Sequence, residues 1–237
     1  MKQVQPISMA NPVSPEMNLY FYYQEIVDSI EPLPIEILEF LVSSGTSRGW
    51  FPTVGKLRAH FSDDHDAQAL QTALDDLVRY RLLHLDPNDS ERIQSIVGGI
   101  VQTKTAFRVM TADKVPFYVG SALDALTVAP TLQKAVQIRT QCGATGDPIV
   151  LDVDAEGSLT ATVPHETTAF IPGWDGVASI PETLASSHFF CGNKALSQWQ
   201  ATNNEPAGLP LTQDTIRSVG MEMAVALSAL YTRISIS

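Results

Sequence analysis

Two side chains that could carry out chemistry lie three residues apart in a largely apolar stretch of the chain. The stretch reads FYVGSALDALTVAP from Phe117 to Pro130, and it contains Ser121 and Asp124. On a helix, positions i and i+3 lie on one face, so the two side chains would be within reach of each other. Desolvation raises the pKa of a carboxyl group in apolar surroundings, which lets it hold and deliver a proton near neutral pH. Asp124 is therefore a candidate acid/base catalyst, with Ser121 orienting it, binding a leaving group or holding a water.

The same two residues are also typical of a helix N-terminus. Serine is a preferred N-cap residue, and an aspartate in the first turn stabilises the exposed backbone N–H groups. Capping is a common use of this pattern. The two residues by themselves leave both interpretations open.

Other reactive residues give no complete motif in the sequence. No histidine stands in an obvious relation to Ser121, and the patterns G-x-S-x-G, H-E-x-x-H, C-x-x-C and the P-loop do not occur. His188 and Cys191 are three residues apart and could contribute to a soft-metal site, but such a site needs at least one more ligand. The alternative is an aromatic strand with a packed histidine and an inert cysteine. No metal and no cofactor are predicted.

The composition excludes several classes of function. The 237 residues carry a net charge of −11 with 15 Lys and Arg residues, whereas a nucleic-acid partner requires clustered cations. Two cysteines do not form a disulfide framework, and we find no signal peptide or membrane span in the sequence. We therefore expect a cytoplasmic protein with a small organic substrate, without a nucleic-acid or membrane partner. Whether it forms a homodimer is left open.

The chain divides into three predicted parts: an N-terminal arm (1–22), a winged helix-turn-helix-like module (23–112) and an α+β core (113–237). The middle part contains three helical segments, IEILEFLVSSG ending at Gly45, VGKLRAHF with Thr53 as N-cap, and DAQALQTALDDLVRYRLL. The third has an apolar stripe made of Leu70, Ala73, Leu74, Leu77, Val78 and Leu82. Two strands flanking a turn at Gly98-Gly99 follow.

The winged-helix outline has two interpretations. A DNA reader needs basic residues on its recognition helix. The third helix has Arg79 and Arg81 at its end, against Asp66, Asp75 and Asp76. This charge pattern favours a scaffold that packs on the rest of the chain.

In the core, the helix that holds Ser121 is predicted to end at Pro130. The following strands are KAVQIRTQC and DPIVLDVD, joined by a GATG turn, then SLTATVP, TTAFIP and the short aromatic segment SHFFCG. NKALSQWQATN and TQDTIRSVGMEMAVALSALYTRI are predicted helices. Together these elements predict an α+β fold with a mixed β core and covering helices.

Three blocks of the core resemble the alkylmercury (organomercurial) lyase family. Residues 117–126 resemble that family's helix, which reads aromatic, Cys, Ala, Leu, Asp, Thr or Ala, Leu. Residues 141–149 are similar to its Cys, x, Ala, Thr, Gly, x, Pro segment. Residues 187–190 are similar to its His-Phe-Phe segment. As in the family, a helix is expected to follow, and in this chain it carries Trp199. The resemblance covers about residues 115–200, and it implies that family's fold and its helical N-terminal module.

The resemblance also implies a set of site residues and a departure from the family's chemistry. In the family, two cysteine thiolates and an aspartate cleave a carbon–mercury bond. The aspartate corresponds to Asp124, the first catalytic cysteine to Ser121, and the second falls at or near Leu184. Cys142 corresponds to a cysteine with a structural role. A serine hydroxyl is a hard, weakly acidic ligand and leucine is no ligand, so this chain is expected to be a poor organomercurial lyase.

The matched blocks imply a substrate pocket formed by Tyr118, Leu184, His188 and Phe189, with Asp124 and Ser121 as the catalytic pair. We expect a repurposed enzyme, for which secondary metabolism is a natural setting, in which Asp124 moves a proton while a carbon–heteroatom bond breaks by elimination or hydrolysis. One alternative is residual protonolysis of carbon–mercury bonds, with buffer thiols or Cys191 replacing the missing cysteines. Another is a non-enzymatic ligand-binding or DNA-binding regulator.

Overall fold

The structure is a computed structural model that describes residues 25–26, 29–173, 183–203, 208–212, 215–217, 220–221 and 224–225. It confirms the predicted α+β class, with helices packed on a large antiparallel sheet and a second, smaller sheet. The predicted N-terminal arm lies outside the described residues. No helix in the described ranges is long and apolar enough to cross a membrane.

Five helices have defined bounds in the described part of the chain. They are α1 (Pro32–Arg48), α2 (Val54–Phe61), α3 (Ala67–Arg79), α4 (Ala122–Leu132) and α5 (Asn193–Asn203). The first three precede the large sheet, α4 follows its fifth strand, and α5 packs on the smaller sheet.

The large sheet has eight strands in the order β1-β2-β3-β5-β4-β6-β7-β8. They are β1 (Leu83–Asp86), β2 (Asp89–Ile96), β3 (Ile100–Val101), β4 (Phe107–Thr111), β5 (Pro116–Val119), β6 (Val136–Gln141), β7 (Pro148–Val153) and β8 (Leu159–Val163). The smaller sheet has the order β10-β9-β11, with β9 (Thr168–Pro172), β10 (His188–Phe190) and β11 (Gly208–Leu211). Each strand pair described here is antiparallel.

Two helices begin with a side-chain cap, of which the one at Thr53 was predicted and the one at Asp66 was not. The Thr53 side chain accepts a hydrogen bond from the Lys56 N–H at 3.2 Å, and Asp66 accepts one from the Ala69 N–H at 2.7 Å. Each bond satisfies a backbone donor that has no partner within its helix. The buried face of α3 confirms the apolar stripe except at Val78, which is 43% exposed.

The predicted end of the first helix at Gly45 is wrong. Helix α1 continues to Arg48 and ends at Gly49, whose φ of 75° supplies the left-handed C-terminal conformation. Gly45 is buried instead, and a Cβ there would lie 2.8 Å from Cε1 of Phe51. The glycine permits close packing inside the helix rather than stopping it.

The predicted end of the core helix at Pro130 is also wrong. Helix α4 includes Pro130 in its last turn and runs to Leu132. Its C-cap residue is Gln133, which has φ 52°. Proline removes one backbone donor, and near a helix end this leaves few further bonds to disrupt. The helix therefore accommodates the proline and continues through Leu132.

The β-structure confirms most of the predicted strands and adds some. The turn at Gly98-Gly99 joins β2 to β3, as predicted, and the GATG segment joins β6 to β7. The sequence prediction missed β1, which pairs with β2, and β11, which pairs with β9. The predicted C-terminal helix lies partly outside the described residues.

The large sheet crosses the predicted boundary at residues 112 and 113. Strand β3 pairs with β5 through Ile100 with Val119 and Val101 with Tyr118. The helical part and the core therefore share one sheet. The division of the chain into three parts stays a prediction, as does the winged-helix interpretation of the three helices and the β1–β2 hairpin.

Candidate active site

Ser121 and Asp124 are in direct contact at the start of helix α4. The Ser121 hydroxyl donates a hydrogen bond to Oδ2 of Asp124 at 2.6 Å and accepts one from the Asp124 N–H at 3.1 Å. Ser121 is thus the N-cap of the helix, and the capping interpretation is correct. The cap also fixes the Asp124 carboxyl group in place, so capping and a site are compatible.

A neighbouring loop completes the helix N-terminus. The Ala122 N–H donates to the Ser187 carbonyl at 3.3 Å, and the Leu123 N–H donates to the Ser187 hydroxyl at 3.2 Å. Ser187 is fully buried. It ties the segment before β10 to the start of α4, a role that the sequence prediction missed because such contacts depend on tertiary structure.

Burial raises the pKa of Asp124 to about 6, and the hydrogen bonds from Ser121 oppose that shift. Protein atoms surround most of the carboxyl group, although the residue keeps some exposed surface where it lines a cavity. Desolvation penalises the charged form of a carboxyl group more than these two hydrogen bonds stabilise it. Asp124 can therefore exchange a proton close to neutral pH.

The cavity beside Asp124 is small and mostly apolar. Its volume is about 60 Å³, and the polar residues that line it are Arg81, His84, Ser95 and Asp124. Leu184 also lines it, at the position where the family resemblance puts a catalytic cysteine. The described lining residues therefore include an aspartate, a histidine and an arginine, but no cysteine.

The Gly98-Gly99 turn forms the wall closest to the carboxyl group. A Cβ at Gly99 would lie 1.9 Å from Cγ of Asp124, and Gly99 has φ 68°. The Gly99 carbonyl accepts a hydrogen bond from the Gly120 N–H at 2.8 Å, which ties the turn to the start of α4. Only a residue without a side chain fits between the turn and the carboxyl group.

His84 and Arg81 come from the junction between α3 and β1. Burial lowers the pKa of His84, and the nearby Arg81 charge acts in the same direction, while a hydrogen bond to the Arg81 backbone opposes them. His84 is therefore neutral near pH 7. The sequence prediction mentioned Arg81 only as a candidate DNA contact, and it missed His84.

The other predicted pocket residues lie elsewhere. Phe189 is fully buried against Phe107, with ring centroids 6.2 Å apart. The ring of His188 lies 5.7 Å from that of Trp199, and burial lowers the pKa of His188. Tyr118 is on β5 and, like these two, is not among the residues lining this cavity. Their assignment to a substrate pocket stays a prediction.

The two free cysteines contact each other rather than Asp124. The Cys191 N–H donates to Sγ of Cys142 at 3.3 Å, and neither cysteine is among the described residues that line the cavity. The pKa of Cys142 is lowered because hydrogen bonds, chiefly from Thr145, outweigh the opposing effect of burial. Burial and the neighbouring Cys142 raise the pKa of Cys191 to about 11. Within the described ranges, no group of three metal-ligating side chains occurs.

We expect Cys142→Ala to lower the free energy of unfolding by about 1–3 kcal/mol, because it empties part of a buried site and leaves the partly buried Cys191 N–H without its acceptor. Cys191→Ala removes a partly exposed side chain and should cost less than about 1 kcal/mol. Urea denaturation of both variants measures the difference. Equal costs would contradict a structural role for Cys142.

The comparisons with known proteins agree with this architecture. The family model of alkylmercury lyase (MerB) matches residues 100–225, which is more than half of the 237 residues. The chain therefore belongs to the alkylmercury lyase family. Comparison with curated proteins gives no match.

A solved structure supports the fold over nearly the whole chain. The chain is similar to the crystal structure of the mercury-bound form of MerB2, with a TM-score of 0.71 and 19% sequence identity. The similarity covers 89% of this chain and 98% of that one. At this level of identity the match establishes the fold, and the chemistry must be argued from the residues themselves.

Proposed function

We propose that this member of the family cleaves a carbon–heteroatom bond in a small organic substrate by acid/base catalysis. The observation that carries the proposal is the Asp124 carboxyl group, which has a pKa of about 6, contacts Ser121 and lines a small cavity without a thiol in its described lining. Asp124 would move the proton. Ser121 stands where the family resemblance places a mercury-binding cysteine.

The proposed chemistry needs one proton-transfer group that works in both directions. In an elimination, the Asp124 carboxylate takes a proton from carbon, the electron pair forms a double bond, and the heteroatom leaves with its bonding electrons. Asp124 then gives the proton to the leaving group. In a hydrolysis, the carboxylate instead takes the proton from a water that Ser121 helps to hold, and the water oxygen forms the new bond to carbon while the heteroatom leaves with its bonding electrons and then takes the proton from Asp124.

The absence of thiols from the described lining argues against carbon–mercury cleavage as the main reaction. Mercury is a soft metal that favours sulfur ligands. Ser121 and Leu184 stand at the two positions that would supply sulfur, and Cys191 faces Cys142 instead. Proton transfer by the Asp124 carboxyl group does not require the metal.

Two assays with one control test the proposal. The protein is incubated with phenylmercury and excess thiol, and benzene release is followed beside Asp124→Asn. A panel of small halogenated and hydroxylated acids is then assayed for release of halide or water. We expect no benzene above background and turnover of at least one panel member that Asp124→Asn abolishes. Benzene release that depends on Asp124 would return the protein to mercury chemistry, and turnover retained in the variant would remove Asp124 from the mechanism.

A further inference from the structure

We propose that Cys142 and Cys191 form an oxidative modification site, at which a hydroperoxide converts the two thiols into a reversible disulfide. The proposal goes beyond the proposed function, because neither cysteine is among the described residues that line the Asp124 cavity. The chain contains two cysteines, which are 49 positions apart in the sequence, and the fold brings them into contact.

The backbone around the two thiols is close enough for a disulfide. Cys142 directly follows β6, and Cys191 directly follows β10. The Cys191 N–H donates to Sγ of Cys142 at 3.3 Å, and the Gly143 N–H donates to the Phe189 carbonyl at 2.9 Å. Segments joined by backbone hydrogen bonds lie about 4.8 Å apart, and a disulfide spans Cα atoms that are about 4.4–6.8 Å apart. Side-chain movement is therefore sufficient to bring the two sulfurs together.

Hydrogen-bond donors surround Sγ of Cys142. Besides the Cys191 N–H, the backbone at Ala144 and Thr145 and the Thr145 hydroxyl form hydrogen bonds to this sulfur. The Thr145 hydroxyl also donates to Oδ2 of Asp147 at 2.7 Å, so the backbone groups are the donors without a competing acceptor of this kind. Burial raises the pKa of the Cys142 thiol, but the hydrogen bonds outweigh burial and lower it. The surroundings of Cys142 therefore stabilise a thiolate.

Cys191 has the opposite character. Burial raises the pKa of its thiol to about 11, and the neighbouring Cys142 and the Asp147 carboxylate act in the same direction, while the Thr145 hydroxyl opposes them. Burial lowers the pKa of His188, so this nearby imidazole adds no positive charge near pH 7. The side chain of Cys191 is partly exposed, whereas that of Cys142 is buried. Because the thiolate is the nucleophile, Cys142 reacts with the oxidant and Cys191 follows as the second thiol.

The reaction balances with hydrogen peroxide as the oxidant. The Cys142 thiolate attacks one peroxide oxygen, the O–O bond breaks, and the leaving hydroxide takes up a proton and becomes water. This step oxidises Cys142 to a sulfenic acid. The Cys191 sulfur then attacks the Cys142 sulfur, so that the S–S bond forms and the S–O bond breaks. The hydroxide released from Cys142 takes the Cys191 proton and leaves as a second water.

Mass spectrometry of the full chain tests the proposal. The reduced protein is treated with an equimolar amount of hydrogen peroxide, denatured and alkylated. We expect a chain that is lighter by two hydrogen atoms and takes up no alkylating reagent, and a digest in which the Cys142 and Cys191 peptides are linked. Dithiothreitol should restore two alkylatable thiols. Two thiols that remain alkylatable after peroxide, or a disulfide between two chains instead of within one, would overturn the proposal.

Two single variants separate the roles of the two thiols. In Cys191→Ser the sulfenic acid on Cys142 has no thiol to react with, so dimedone should trap it. In Cys142→Ser the remaining thiol lacks the surrounding donors and should react with peroxide at least about tenfold more slowly. Circular dichroism checks that each variant is folded, and Cys191→Ser, which changes a partly exposed side chain, carries the test by itself if Cys142→Ser does not fold. A folded Cys191→Ser variant without a dimedone adduct would overturn the assignment of Cys142 as the reactive thiol.

Discussion

Replacing Gly99 by alanine is expected to destabilise the protein by about 3 kcal/mol and to displace the Asp124 carboxyl group. The added methyl group would lie 1.9 Å from Cγ of Asp124, far closer than non-bonded carbons approach. The φ of 68° adds strain of about 1–2 kcal/mol for a residue with a Cβ, and overpacking adds about 1–3 kcal/mol. Urea denaturation measures the stability.

Gly146→Ala is the matched control for this variant. Gly146 has φ 76°, but a Cβ there would meet nothing within 4 Å. The Gly146→Ala variant should therefore lose stability through the backbone strain alone, by about 1–2 kcal/mol. The difference between the two variants measures the clash with Asp124. If Gly99→Ala cost no more than Gly146→Ala, the close contact between the turn and the carboxyl group would be wrong.

Replacing Asp124 by asparagine is expected to lower turnover by at least about 100-fold and to stabilise the fold at pH 8. Loss of a positioned acid/base group typically costs about 10²–10⁴ in rate. The folded-state pKa of about 6 lies above the ordinary aspartate pKa of 3.8, so the unfolded chain ionises first as the pH rises. The wild type therefore loses stability between these two values, and above pH 6 the ionised carboxylate continues to destabilise it.

The size of the effect follows from the pKa difference. The difference between a pKa of about 6 in the folded state and the ordinary 3.8 corresponds to about 2–3 kcal/mol. Asparagine has no charge to desolvate, so the variant should be more stable than the wild type by about this amount at pH 8, with the gap shrinking as the pH falls to 4. Denaturation at a series of pH values measures the gap. A gap that does not change with pH would contradict a raised pKa at Asp124.

The local parts of the fold could be predicted from the sequence, because local chemistry determines them. Thr53, Asp66 and Ser121 cap helices in the structure as their residue types and positions indicate. The glycine-containing turns between strands could also be predicted from the sequence. The errors at Gly45 and Pro130 have one cause, because both residue types often end helices and were taken to do so here. Packing explains why Gly45 lies inside its helix, and a position in the last turn explains why Pro130 does.

The cavity could not be predicted from the sequence, because it joins segments that are far apart along the chain. Asp124 and Leu184 were predicted site residues and do line it. Arg81 and His84 come from the predicted helical module, and nothing local relates them to Asp124. The end of the third helix without a glycine does not mark Arg81, because helix α4 also ends without one, at Gln133, which has φ 52° and is not among the described residues that line the cavity.

The pairing of β3 with β5 has a consequence for how the protein acquires and loses its cavity. The Gly99 turn precedes β3, and Asp124 follows β5, so this strand pair holds the two walls together. The cavity cannot form until the chain between the strands has closed into a loop, and it disappears as soon as the pair opens. Ligand binding would therefore be thermodynamically linked to the pairing of the strands in the eight-stranded sheet. The binding free energy would make local opening less frequent on both sides of the site.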